Sequence, residues 1–181
     1  MNIEIAKSID GFMSDNELEW LARQAFKSKI IYECGCYLGR STRAMADNMR
    51  NGGKLFAVDP WYGPYYDDDN KSIVLEMTDH HYFGFLQNLQ EFVMSERVVP
   101  IRKKFSDTKL RADTDFIFID GDHHYDTVLI DINHALGVAP KIIAGHDYGR
   151  SDWPGVKRAV DEIFGARFIN CVAESIWWTS L

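Results

Sequence analysis

The chain has 181 residues, of which 46% are hydrophobic and 26% charged, and its formal net charge is −7. That length favours one domain spanning residues 1–181, and a core of this size buries roughly 70% of the unfolded surface without disulfides or a structural metal. An acidic balance excludes the basic footprint that nucleic-acid binding requires, since the longest basic cluster is Arg102-Lys103-Lys104. Cys34, Cys36 and Cys171 form no disulfide framework, no basic-then-apolar leader opens the chain, and no apolar run approaches about 18 residues. A cytoplasmic protein with no membrane partner is therefore expected. Cys34-Gly35-Cys36 is half of a zinc pattern with no second half.

In chain order, residues 1–28 form a helical lead-in. Ser14-Asp15-Asn16-Glu17 is a capping box that opens an amphipathic helix through about Lys27. Ile30–Cys34 reads as a strand, Ser41 to about Arg50 as a helix stopped by Asn51-Gly52-Gly53, and Lys54–Asp59 as a second strand. Residues 60–96 are predicted to hold a long irregular segment to about Lys71, then a helix from Ser72 to Glu96 broken near Gly84. Long irregular connections often serve as lids, so Tyr65, Tyr66 and the run Asp67–Asp69 are candidates to cover an acceptor pocket. An acidic run is more often solvated surface. His80 and His81 fall in the helix and read as surface or core residues.

Val98–Ile101 is a third strand, Asp115–Asp120 a fourth and Lys141–Gly145 a fifth, with helices at Tyr125–Leu136 and Pro154–Phe164. Arg167–Ala173 and Ser175–Thr179 lie too close together for a crossover and should pair as an antiparallel hairpin. Strand–helix alternation predicts an α/β fold: a seven-stranded, mostly parallel, Rossmann-like sheet with helices on both faces.

Chemistry concentrates where these strands end. Phe116-Ile117-Phe118-Ile119 is a strand buried on both faces that runs into Asp120-Gly121-Asp122-His123-His124, at the sheet edge where open α/β folds bind ligands. After the first strand come Glu33, Gly35, Gly39, Ser41 and Thr42. Glycine permits close backbone approach and the helix start offers free N–H groups, but the G-x-G-x-x-G spacing of a dinucleotide site is absent. Glu33 would repel phosphate and accept a cationic or hydroxylated ligand, unless it is an incidental residue of a tight turn. Asp59 ends the second strand, where an acid can hold both ribose hydroxyls or start an Asp-Pro turn, and Trp61 beside it could cover an aromatic base.

Four segments together resemble the class I S-adenosylmethionine-dependent methyltransferases, and within them the macrocin and novobiocin sugar O-methyltransferase group. They are Tyr32–Thr42, Phe56–Trp61, Phe116–Tyr125, and Ile143–Tyr148 with Pro154–Phe164. The resemblance covers about residues 30 to 165 and implies the sheet order 3-2-1-4-5-7-6. It places the methionine end of S-adenosyl-L-methionine against Glu33, Gly35 and Gly39, with Ser41 and Thr42 close by. Asp59 would hold the ribose, Ser106 would sit near the adenine, and Phe105 and Trp61 would serve as walls.

Asp120 and Asp147 are the implied ligands of a divalent cation, Mg²⁺ or Mn²⁺, with Asp120 also near the cofactor. The relatives commonly carry Asp-Asp-Tyr where this chain has His146-Asp147-Tyr148. Imidazole suits Mn²⁺, Fe²⁺, Ni²⁺ or Zn²⁺ better than Mg²⁺, so His146 is either a ligand that shifts the metal preference or a packed strand-end residue. Asp122 resembles the general base, His123 and His124 are alternatives, and Asp122 could equally cap the helix that follows. The predicted function is methyl transfer to a small hydroxylated acceptor, on oxygen and with metal assistance. A non-catalytic cofactor-binding module and a nicotinamide oxidoreductase are the alternatives. The chain is short for the group and shows no obvious extra N-terminal region to supply acceptor contacts, so a homodimer is the expected way to complete the pocket walls.

Overall fold

The structure, a computed structural model, describes residues 1–66, 73–165 and 169–181, with only the backbone described at 64–66 and 73–75. Five strands are parallel neighbours in one sheet: β1 (Ile30–Cys34), β2 (Lys54–Val58), β5 (Val98–Ile101), β6 (Phe116–Ile119) and β7 (Ile142–Gly145). β8 (Asn170–Val172) and β9 (Ile176–Ser180) form the antiparallel hairpin, and β9 pairs antiparallel with β7. The order across the sheet is β5-β2-β1-β6-β7-β9-β8, which in order of the sheet's own strands is 3-2-1-4-5-7-6. Of the predicted hairpin strand Arg167–Ala173, residues 167 and 168 lie outside the described residues.

Helices cover both faces because the central strands are apolar on both. β1 sends Ile31 into one core layer and Ile30, Tyr32 and Cys34 into the other; β6 divides Phe116 and Phe118 from Ile117 and Ile119 in the same way. The first layer packs under α1 (Glu4–Ser8), α2 (Asp15–Lys27), α3 (Arg40–Asn48), α4 (Asp79–Asn88) and α5 (Gln90–Met94). The second packs under α6 (Tyr125–Leu136) and α7 (Pro154–Phe164). α2 starts where its capping box predicts: the Ser14 hydroxyl accepts from the Glu17 N–H, and the Glu17 carboxylate accepts from the Ser14 N–H at 2.9 Å. No described helix is long and apolar enough to cross a membrane.

Residues 60–96 differ from the sequence prediction. A second, two-stranded sheet is formed by β3 (Gly63–Tyr66) and β4 (Ile73–Met77), and the helix begins only at Asp79. The run Ile73-Val74-Leu75-Glu76-Met77 mixes β-branched residues with strong helix formers, so periodicity alone does not separate the two states. The helical break falls at Leu89, not Gly84, which lies inside α4. The Asp67–Asp69 run lies outside the described residues. His81 caps α4, its Nδ1 accepting from the Thr78 N–H at 3.1 Å.

Gly39, the N-cap of α3, has φ of 90°, and a Cβ there would lie 2.5 Å from Leu89 Cδ2 and 3.0 Å from Phe85 Cδ2. Its role is to let α3 start against the α4–α5 junction. Replacing Gly39 with Ala should lower the unfolding free energy by about 2 kcal/mol, from left-handed strain plus overpacking. Urea denaturation measures this, and a variant as stable as the wild type would contradict the packing described.

Candidate active site

The parallel strands end at one rim, and the residues just past their ends line a cavity of about 340 Å³. That is within the range of small-molecule pockets, about 300–1,000 Å³. Gly35 and Ser41 contribute from the loop and helix after β1, Asp59 from the end of β2, Asp120 to His123 from β6, and His146 and Asp147 from β7. Gly35, with φ of 82°, admits no side chain: a Cβ would lie 2.0 Å from the Asp120 carbonyl oxygen. The first loop is thereby held tight against the end of β6.

Asp59 is buried, and its carboxylate accepts three backbone N–H groups: Cys36 at 2.8 Å, Tyr37 at 3.1 Å and Trp61 at 2.6 Å. It fixes the loop's shape while still facing the cavity. Burial raises its pKa, and the three N–H groups oppose that rise. Glu33 is fully buried and is not a lining residue. Its oxygens accept from the Ser41 hydroxyl and, at 2.5 Å, from the Thr42 hydroxyl. Burial pushes its carboxyl up to about 7, the two hydroxyls notwithstanding. Thr42 is likewise fully buried, so of this trio only Ser41 reaches the cavity.

Four other predicted contacts are placed elsewhere. Gly39 packs on the α4–α5 junction. Trp61 is a core residue, its indole N–H donating to the Tyr37 carbonyl at 2.8 Å and its ring against Tyr82 and Phe85, so it is no cavity wall. Its own backbone N–H is tied to Asp59. Ser106 sits in a short 3-10 turn outside the cavity lining, and Phe105 is buried in the second core layer against His134.

Also lining the cavity, Asp120, His146 and Asp147 bring one potential ligand atom each to within 4.8 Å of one another. His146 is buried; its Nδ1 lies 3.5 Å from Asp120 Oδ1 and 3.3 Å from Asp147 Oδ2, and its Nε2 lies 3.0 Å from Glu17 Oε1. Burial alone would lower the imidazole's pKa, but Asp120, Asp147 and Glu17 push it up to about 12. Glu17, buried as well, is held down at about 2, its burial outweighed by hydrogen bonds from His146, Ser14 and Ser175. Asp147 has φ of 58°, an unusual value for a non-glycine residue and typical of strained functional positions. Burial raises its pKa, and His123 and His146 outweigh this and hold it below the usual carboxylate range. His123 Nε2 lies 2.8 Å from Asp147 Oδ2, and its ring stacks on Trp153 at 4.4 Å.

Asp122 lines the cavity and also braces the turn before α6. Its Oδ1 accepts from the His124 N–H at 2.9 Å and contacts the His124 ring at 2.6 Å. These contacts outweigh burial and lower its pKa, so it is ionised at neutral pH.

Several lining residues were not singled out from the sequence. Met77 ends β4, and Arg150 and Trp153 follow β7. Gly11, Phe12 and Met13 form a strap from the lead-in, so the chain's own N-terminal segment supplies a wall. Arg40 holds that strap by donating to the backbone carbonyls of Lys7 at 3.0 Å, Ile9 at 2.8 Å and Met13 at 3.0 Å. An arginine at a helix start gives no sequence signal of this role.

The fold and rim define a Rossmann-like methyltransferase. The family model described as "Methyltransferase domain" matches residues 32–148, and the chain belongs to that family, among the class I S-adenosylmethionine-dependent methyltransferases. No match is found among curated protein sequences. Among solved structures, the chain is similar to S-adenosylhomocysteine-bound methyltransferase PaMTH1 of Podospora anserina, with TM-score 0.68 and 17% identity over 99% of this chain and 86% of that one. It is similar to an O-methyltransferase of Bacillus cereus in complex with S-adenosylhomocysteine, with TM-score 0.64 and 16% identity over 97% and 86%. It is also similar to CalS11, a TDP-rhamnose 3'-O-methyltransferase of calicheamicin biosynthesis, with TM-score 0.66 and 15% identity over 91% and 76%. These likenesses share the fold.

The raised pKa of Glu33 gives a signed prediction. Its folded-state value, about 7, exceeds the ordinary 4.5, so its contribution to stability is full below 4.5 and is lost as pH rises through 7. Glu33→Gln, which resembles the protonated acid, should therefore gain stability relative to wild type between pH 5 and pH 8 on thermal melts. A difference constant across that range would contradict the assignment.

Proposed function

We propose that the protein transfers a methyl group from S-adenosyl-L-methionine to a hydroxyl of a small acceptor, assisted by a divalent cation. The observation that carries this reading is one cavity lined both by the Asp59-braced loop and by the Asp120–His146–Asp147 cluster. Asp59 and Asp120 face the space a sulfonium cofactor would fill, with Glu33 beneath it, and negative charge at a low-dielectric site favours a cation. Ser41 and the Gly35 loop would hold the methionine end. One imidazole nitrogen and two carboxylates fit a divalent cation. A cation held there would lower the pKa of the acceptor hydroxyl.

Within the chain, Asp122 would take the acceptor's proton. It is ionised and faces the cavity, and among the described residues its Oδ2 is engaged only by the long 3.4 Å contact from the Thr127 hydroxyl. S-adenosyl-L-methionine would supply the methyl group to the acceptor oxygen and depart as the neutral thioether, and Asp122 would accept the proton that the oxygen loses. His123 would hold Asp147 in place, while its ring and Trp153 form the acceptor-side wall. The hydroxylated acceptor class includes sugars, glycosylated metabolites and phenols.

Calorimetry should show S-adenosylhomocysteine binding and no NADH binding, which separates this reading from a nicotinamide enzyme. In a screen of hydroxylated acceptors, turnover should fall in chelator and return with added cation. Asp122→Asn should lower kcat by about 100-fold or more with cofactor affinity retained. Binding without turnover of any acceptor would favour a non-catalytic module, and full activity in chelator would remove the cation from the reading.

A further inference from the structure

Glu17 is the part of the site that the sequence pattern hides best. As the N3 residue of a capping box it has a sufficient local job, yet its side chain is almost fully buried and reaches 129 residues along the chain to His146. Oε2 accepts from the Ser14 N–H at 2.9 Å and from its hydroxyl at 3.1 Å. Oε1 accepts from the Ser175 N–H at 3.2 Å and its hydroxyl at 3.0 Å, and lies 3.0 Å from His146 Nε2. Both backbone N–H groups are obligate donors, so the carboxylate acts as an acceptor on both oxygens. A helix start, a hairpin turn and the end of β7 are thus tied through one side chain.

The contact sets the chemistry of the imidazole. With Nε2–H donated to Glu17, an incoming cation that displaces the Nδ1 proton meets a lone pair on the atom that faces Asp120 and Asp147. A carboxylate behind a ligating histidine fixes the ring's tautomer and orientation and raises its basicity as a ligand. We propose that Glu17 is the positioning residue of a His146-Nδ1 cation site, and that this pair turns the site toward a first-row transition-metal dication such as Mn²⁺ or Co²⁺ and away from Mg²⁺. The inference rests on the cation clause of the proposed function, and it assigns to the lead-in helix a part in metal selection.

Calorimetric titration of the full chain with CoCl₂, MnCl₂ and MgCl₂, each with a parallel titration of S-adenosylhomocysteine, tests it. Wild type should bind Co²⁺ and Mn²⁺ more tightly than Mg²⁺. Glu17→Gln should weaken Co²⁺ binding by about tenfold or more and shift the visible Co²⁺ spectrum, with S-adenosylhomocysteine affinity retained. Ser14→Ala removes the side-chain half of the cap but leaves the His146 contact; it should lower the melting temperature without weakening Co²⁺, which separates positioning from helix stability. Glu17→Ala is read only if it still binds S-adenosylhomocysteine, and Glu17→Gln decides if it does not. Unchanged Co²⁺ affinity and spectrum in Glu17→Gln would overturn the proposal. A wild type that binds S-adenosylhomocysteine but no divalent cation would overturn it together with the cation clause, leaving methyl transfer standing. Failure to bind S-adenosylhomocysteine would count against the function itself.

Discussion

Buried negative charge is the constraint around which this molecule is arranged. Parallel strands that end in acids must deliver those acids to the same rim, and removing a carboxylate from water is costly unless donors replace the water. Each acid here finds donors by a different route. Asp59 uses backbone N–H groups of the neighbouring loop, Glu33 uses two hydroxyls at the start of α3, Glu17 uses two serines and a histidine, and Asp147 draws on His123 and His146. Asp120 is the exception. Among the described residues its carboxylate has only the 3.5 Å approach of His146 Nδ1, too long for a good hydrogen bond. The rim therefore has unspent capacity for positive charge at the point where a sulfonium and a metal ion would meet.

The same constraint explains why a histidine can stand where relatives commonly carry another acid. Asp120, Asp147 and Glu17 already surround the position, and a fourth carboxylate there would face like charges at close range. An imidazole relieves that repulsion and offers either a proton or a lone pair to the cluster. Glu17 comes from the lead-in helix, so this choice binds the N-terminal region to the catalytic rim. The strap held by Arg40 binds the same region to the cavity wall.

What could be read from the sequence was what short-range pattern controls. Apolar runs of four or five residues located the strands, the Ser14–Glu17 spacing located α2, and alternation with helices gave the sheet its class. Gly35 was read as letting the backbone approach a ligand; the close approach in the structure is to the Asp120 carbonyl, which the sequence did not show. The inward turn of Trp61 was not legible, because proximity to Asp59 in sequence does not reveal which way a large ring turns; the ring packs in the core against Tyr82 and Phe85. The β3–β4 hairpin was missed because its second strand is built from residues that serve helices equally well. Glu17 carried a complete local explanation, and its long-range partner leaves no trace in spacing.

The most direct measurement is a crystal structure of the protein soaked with S-adenosylhomocysteine and Mn²⁺, with anomalous data collected to locate the ion. The predicted result is the cofactor in the rim cavity with its methionine end at Ser41 and the Gly35 loop, and one anomalous peak within bonding distance of Asp120, Asp147 and His146 Nδ1. Cofactor density away from that rim, or an ion held by other residues while this cluster keeps its present geometry, would contradict the shared site on which the functional reading depends.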